Sequence, residues 1–263
     1  MPVVSLKRRV EQLARDMDPA SHLIDLGIEV QGPDRSVLFT AGGIWHKRLS
    51  RYVGESPAPR TLRLMASQME AGKLLAKWFA DYDNKVESRL ALINCVDARR
   101  GGKTHFVVLA MLAFALRYPR SHLGKTAVWI VAPSFPQARE IRETITTLLP
   151  PEWFRDGLIQ YHKSPNYYSL ACGSEIWIKS ADRPNGLKWG GVSAVAVNEG
   201  QQLEARGILN IIYANVDAGG LTILAMNPPD STRGVWAEEL HDAVNALDDR
   251  GQPVIDFATE VRF

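Results

Sequence analysis

Ala91–Leu116 reads ALINCVDARRGGKTHFVVLAMLAFAL, and the rest of the chain is interpreted around it. Ala91–Cys95 is a short apolar run of the kind that forms a buried strand. The loop Asp97-Ala98-Arg99-Arg100-Gly101-Gly102 follows, then Lys103-Thr104 and the apolar, helix-length run His105–Leu116. Strand, glycine-rich loop, Lys-Thr and helix is the layout of a phosphate-binding loop. In such a loop, backbone amides and the helix N-terminus point at an anionic phosphate. Lys103 would reach the β- and γ-phosphates of a nucleotide, and the Thr104 hydroxyl would hold Mg²⁺. The first position of the usual pattern is glycine, whereas this chain has Asp97. Arg99 and Arg100 beside Lys103 would repel one another in an empty loop, and a polyphosphate would neutralise the cluster.

The 263 residues suffice for one large α/β domain or a domain with a small appendage, and 46% hydrophobic residues support a sizeable core. A formal net charge of +2 excludes a bulk polycation, so any nucleic-acid contact must come from local patches. Two cysteines, Cys95 and Cys172, are too few for a disulfide framework and fit a reducing cytosol. Six scattered histidines show no metal-ligand spacing. The charged, amphipathic N-terminus does not read as a signal peptide, and Phe106–Leu116 is too short to span a bilayer. No membrane association is expected.

Leu6–Met17 has helical spacing, and Ser21–Pro59 holds short apolar runs broken by Gly-Pro, Gly-Gly and Pro-Ala-Pro. Residues 1–58 are therefore expected to form an N-terminal extension or lobe, and residues 59–263 the principal domain. Thr61–Tyr82 is predicted as a helix. Gln68 within it is a candidate to read adenine through paired hydrogen bonds, although a helix glutamine needs no such role. Arg60, Arg63, Lys73 and Lys77 would form a basic helix face. Downstream, strands are predicted at Ala127–Ala132, Val192–Val197, Leu221–Met226 and Val254–Ala258. Helices are predicted at Gln137–Leu149, Arg206–Ala214 and Gly234–Leu247. Tyr167–Leu170 and Glu175–Ile178 flank Ala-Cys-Gly-Ser as an antiparallel hairpin. Alternating strands and helices give an α/β class with a mostly parallel central sheet.

A nucleotide hydrolase of this kind needs an acid at the end of a second buried strand. Val192–Val197 runs into Asn198-Glu199. Glu199 fits the role of orienting the attacking water, and Asn198 stands where a Mg²⁺-supporting carboxylate is expected. Asn227, at the end of Leu221–Met226, is placed to sense a γ-phosphate or simply to turn the chain before Pro228-Pro229. Arg183 and Lys188, in the loop before the acidic strand, could reach a neighbouring subunit's nucleotide and stabilise charge on the transferring phosphoryl group.

Four stretches taken together, DARRGGKT, AVWIVAPSFPQAREI, KSADRPNGLKWGGVSAVAVNEGQQ and LTILAMNPP, resemble the ATPase domain of tailed-bacteriophage large terminase subunits over about residues 60–260. The resemblance implies a P-loop ATPase of the additional-strand type that uses ATP and Mg²⁺ to drive double-stranded DNA into a capsid. It implies a ring on the portal protein, thought to be a pentamer, a small terminase subunit as partner, and the host cytoplasm as location. The family's phosphate-loop cluster falls on Arg99, Gly102, Lys103 and Thr104, with Arg100 and Gly101 inside the loop. Its catalytic glutamate falls on Glu199 and its coupling motif on Asn227-Pro228. This sequence departs from the pattern at Asn198, where the family has aspartate. It departs again at Lys188, where some members carry a trans-acting arginine; Arg183 could take that role. No carboxylate cluster for a two-metal nuclease is found, so nuclease activity is not expected from this chain. Two other readings share the same residues: a helicase-like, nucleic-acid-dependent ATPase, and a nucleotide-binding assembly module with little turnover.

Overall fold

The computed structural model describes residues 23–86, 92–96, 102–121, 124–182, 187, 191–203, 216–228, 235–248, 250–251 and 258–262. Leu6–Met17 and Arg206–Ala214, both expected to be helical, lie outside the described residues.

Six short strands come first: β1 (Leu23–Asp25), β2 (Ile28–Gln31), β3 (Val37–Ala41), β4 (Ile44–His46), β5 (Arg51–Gly54) and β6 (Arg60–Arg63). They form two three-stranded sheets, ordered β1-β4-β5 and β3-β2-β6. The sequence placed Thr61–Arg63 inside a helix. Instead Arg60–Arg63 pairs in parallel with Ile28–Gln31, bringing Leu62 opposite Val30. Pairing with a strand some thirty residues away outweighs local helical spacing, which is a weak preference. The helix itself, α1 (Met69–Asp83), starts after a single 3-10 turn at Ala66–Gln68. The expected basic helix face dissolves accordingly. Arg60 and Arg63 sit on β6, while Lys73 and Lys77 pair with Glu70 and Asp81 of their own helix.

The principal sheet is assembled from β7 (Leu92–Val96), α2 (Lys103–Arg117), the short pair β8 (Arg120–Ser121) and β9 (Gly124–Lys125), and β10 (Ala127–Ala132). It continues through α3 (Phe135–Leu148), α4 (Pro151–Arg155), β11 (Ile159–His162), β12 (Tyr167–Leu170), β13 (Glu175–Ser180), β14 (Val192–Asn198), β15 (Val216–Met226), α5 (Val235–Asn245) and β16 (Ala258–Arg262). Eight strands join in the order β11-β12-β13-β10-β14-β15-β7-β16. Pairing is parallel from β13 to β16 and antiparallel where β11, β12 and β13 meet. Thus β15 lies between the strand that feeds the glycine-rich loop and the strand that ends in Asn198. Of the strand expected at Val254–Ala258, residues 254–257 lie outside the described residues, and β16 is described from Ala258 to Arg262.

The central strands are apolar on both faces because both faces are covered. Every residue of Val192–Asn198 is buried. Val128, Ile130, Ile176, Ile178, Ala194, Ala196 and Ile223 pack on the side of α2 and α3, and Trp129, Val131, Val195, Val197 and Leu224 pack on the other. Helix α2 is buried all round from Phe106 to Leu116, which explains its lack of a polar face. Each fully buried Leu, Phe or Met along it contributes roughly 1.5–3 kcal/mol. Its far side is covered by the N-terminal strands: Leu26, Ile28, Val30, Trp45 and Leu62 share one continuous core with Trp78, Phe79 and α2. The Tyr52 hydroxyl donates to the Leu116 carbonyl at 2.6 Å, fixing β5 to the end of α2. The core therefore runs unbroken across residue 58.

Candidate functional site

In a parallel sheet the strand ends that carry the loops into the next helix converge on one edge, and ligands bind there. That edge holds the start of α2 and the ends of β7, β14 and β15.

Gly102 caps α2 in the left-handed region, with φ +80°. A Cβ there would lie 2.6 Å from Gln68 Nε2 and 3.1 Å from Met65 Cε, so both the turn and the close approach require glycine. Gln68 is fully buried. Its Nε2 donates to the Gly102 carbonyl at 2.7 Å, and its Oε1 accepts the Met65 backbone N–H at 2.9 Å. Both ends of the amide expected to read adenine are thus bonded to the backbone. In this arrangement Gln68 braces the glycine-rich loop against the segment leading into α1.

Lys103 and Thr104 open α2, and Lys103 is 5% exposed. The Thr104 hydroxyl donates to Asn198 Oδ1 at 3.0 Å, joining the head of α2 to the last residue of β14. Asn198 is 3% exposed. The next residue, Glu199, turns the chain off the sheet in a left-handed conformation, φ 54° and ψ 44°. For a residue with a Cβ this costs of order 1 kcal/mol. The turn aims its carboxylate across the sheet edge. Glu199 Oε2 accepts N–H groups from Asn227 Nδ2 at 2.6 Å, Gln201 Nε2 at 2.7 Å and Gln202 Nε2 at 3.2 Å. Gln201 Oε1 in turn accepts the Asn227 backbone N–H at 3.0 Å. Three donors on one oxygen fix the carboxylate strongly, because hydrogen bonds to an ion are about twice as strong as neutral ones. Asn227 Oδ1 is buried and has no hydrogen-bond partner. Beside Thr104, burial lowers the His105 pKa, and its Nδ1 is likewise buried without a hydrogen-bond partner.

The fold therefore brings together Gly102, Lys103, Thr104, Asn198, Glu199 and Asn227. Gln68 is tied by its side chain to the backbone of Gly102 and Met65. Arg99, Arg100, Gly101, Arg183 and Lys188 fall outside the described residues. Gln201 and Gln202 were not singled out by sequence, although their place directly after a strand-end glutamate was the available signal.

The site offers few oxygen ligands of its own. Among the described residues no group of three or more His, Cys, Asp or Glu side chains could hold a metal ion. The Thr104 hydroxyl and the Asn198 carbonyl oxygen, 3.0 Å apart, fit Mg²⁺, which retains water and takes most of its remaining ligands from substrate phosphates.

No protein-family profile and no curated protein sequence matches the chain. Solved structures do resemble it. The large terminase of bacteriophage HK97 superimposes with a TM-score of 0.57 at 15% identity, over 79% of this chain and 40% of that one. The large terminase of a thermophilic bacteriophage superimposes with a TM-score of 0.52 at 14% identity, over 73% of this chain and 45% of that one. The chain spans less than half the length of either. It has the terminase ATPase-domain fold, and at this identity the likeness concerns the fold alone.

Proposed function

We propose that the chain is the ATPase region of a large terminase, hydrolysing ATP to move double-stranded DNA into a capsid. The observation that carries this reading is the meeting of three parts at one sheet edge. They are the Lys103-Thr104 head of α2, the Thr104–Asn198 bond, and Glu199 held 2.6 Å from Asn227 across β14 and β15. Each has a task in phosphoryl transfer, where catalysis is chiefly positioning and charge stabilisation.

Lys103 and the amides around Gly102 would bind the β- and γ-phosphates, with Arg99, Arg100 and Gly101 completing the loop. Thr104 and Asn198 would hold Mg²⁺, which when bound would neutralise charge on the phosphate oxygens. Glu199 would orient the attacking water and accept its proton. Its Oε2 is occupied by three N–H donors, so Oε1 would be the oxygen to act on the water. Asn227 would report on that carboxylate, since any rotation of Glu199 breaks their 2.6 Å bond. Arg183 or Lys188 would act on a neighbouring subunit's phosphates. Lysine would do so as a point charge without the bidentate geometry of arginine.

A ring on a portal protein, a small terminase subunit as partner and the host cytoplasm as setting all follow from the terminase reading and belong to the same proposal. A second reading, nucleotide binding with little turnover, is favoured by Asn198, a neutral residue where a carboxylate would help to hold the metal. Titration with a fluorescent ATP analogue in Mg²⁺ tests the site. The wild type should bind, and Lys103→Ala should weaken binding at least ten-fold, about 1.4 kcal/mol. Equal affinity in both would sink the site assignment.

A further inference from the structure

The three-donor grip on Glu199 does not end at the site. Gln202, which donates to Glu199 Oε2 at 3.2 Å, accepts on its own Oε1 an N–H from Gln137 Nε2 at 2.9 Å. Gln137 Oε1 accepts the Ser134 hydroxyl at 2.9 Å. Ser134 and Gln137 form the first turn of α3, which leaves the end of β10 next to β14. That turn is held from its other side by Asp182, whose Oδ2 accepts the Phe135 N–H at 2.8 Å and the Ser180 hydroxyl at 3.1 Å. A continuous line of hydrogen bonds thus runs from Ser134 through Gln137 and Gln202 to Glu199, with Asp182 anchoring its start.

The line has one direction. Each amide accepts on its oxygen and donates from its nitrogen, and the last N–H points at an anion. Reversing either amide would set two oxygens against each other, so the orientation of Gln202 depends on the donor that Gln137 supplies. Gln202 is exposed and Gln137 only half-buried, so these bonds do little to hold the core together. Ordering two long glutamine side chains head to tail at the surface costs rotamer freedom. The arrangement has a purpose if what it fixes is the carboxylate at its end.

We propose that Gln137 and Gln202 are positioning residues that set the orientation of Glu199 from the first turn of α3, with Asp182 holding that turn. The proposal rests on the reading of Glu199 as the group that faces the attacking water. It makes turnover sensitive to any displacement of the Ser180–Asp182 segment, one residue ahead of Arg183 in the chain. A contact made there by a neighbouring subunit would therefore be felt at the carboxylate.

The test is steady-state ATP hydrolysis by wild type, Gln137→Glu, Gln137→Lys and Lys103→Ala, with kcat and KM measured separately. Glutamate at 137 is an acceptor only, so it turns the Gln202 amide and presents its oxygen to Glu199. Gln137→Glu should lower kcat roughly three- to ten-fold, the worth of one hydrogen bond, with KM within about two-fold of wild type. Lysine restores an N–H donor, so Gln137→Lys should recover kcat to within about two-fold of wild type. A Gln137→Glu kcat equal to wild type overturns the proposal. So does a loss carried in KM, or a loss of the same size in Gln137→Lys. If Lys103→Ala abolishes hydrolysis while the Gln137 variants do not differ, the nucleotide reading stands and the positioning line falls. Hydrolysis that survives Lys103→Ala, or a wild type that does not hydrolyse ATP, overturns the nucleotide reading or its turnover and the line with it.

Discussion

Replacing Gln68 by leucine separates two tasks that the same side chain could perform. The substitution keeps the approximate volume of a fully buried residue, so it opens little cavity. It removes two hydrogen bonds, one to the Met65 N–H and one to the Gly102 carbonyl. The two losses differ in size. The Gly102 carbonyl still accepts the Phe106 N–H at 3.0 Å, so losing its second donor costs about 0.5–1.5 kcal/mol. The Met65 N–H loses its side-chain acceptor, and an orphaned donor costs about 1–3 kcal/mol. The sum, roughly 1.5–4.5 kcal/mol, corresponds to a fall in Tm of roughly 3–18 °C for a chain of this size. Thermal unfolding without nucleotide measures that fall, and parallel titrations with ATP and GTP analogues measure the effect on binding. A brace that loosens the glycine-rich loop should weaken both nucleotides by the same factor, leaving their ratio unchanged. An unchanged Tm together with a changed ATP-to-GTP preference would refute the brace and return Gln68 to the role of base reader.

Two further outcomes follow from the same geometry. Asn198→Asp places a carboxylate that is almost fully buried beside a single hydroxyl donor, so the metal-free protein should lose several degrees of Tm, roughly 1–3 kcal/mol. Mg²⁺ with nucleotide should restore that loss, and the Mg²⁺ needed for half-maximal binding should fall roughly ten-fold; an unchanged Mg²⁺ requirement would exclude Asn198 from the metal's surroundings. Lys179 packs over the Trp129 and Trp177 rings at 5.0 and 4.6 Å, and burial pushes its pKa below the ordinary 10.5. Between its folded pKa and 10.5 the unfolded chain binds more protons, so wild-type stability rises with pH through that window. The Tm of Lys179→Met minus that of wild type should therefore shrink as pH climbs to 10.5, and a constant difference would show that the lysine titrates normally.

Much of the fold was legible because its central strands are built on short apolar runs. Leu92–Val96, Ala127–Ala132, Val192–Asn198 and Val216–Met226 all stand where apolar runs placed them, with longer ends in some cases. Strand ends then located Glu199 and Asn227, since the chain must turn polar where it leaves the sheet. What was hidden depends on contacts between distant residues. Arg60–Arg63 has no strand pattern of its own and becomes one by pairing with Ile28–Gln31. The edge strand Ile159–His162 is defined by its antiparallel pairing with Tyr167–Leu170. Gln68 reads as an ordinary helix glutamine until the fold sets it against Gly102, thirty-four residues away. Gln137 and Gln202, sixty-five residues apart, carry no periodic signal at all; only the adjacency of β10 and β14 brings them within bonding distance.

The central claim is that this site hydrolyses ATP, with the strand-end glutamate acting on water and a neighbouring subunit completing the reaction. Its most direct test is the rate of ATP hydrolysis per subunit in Mg²⁺, measured against protein concentration, with Glu199→Ala alongside. A rate per subunit that rises with concentration and falls roughly 10²- to 10⁴-fold in the variant, while nucleotide still binds, is the predicted result. Wild type no faster than Glu199→Ala, with ATP bound to both, would contradict the account and leave a nucleotide-binding module in place of a motor.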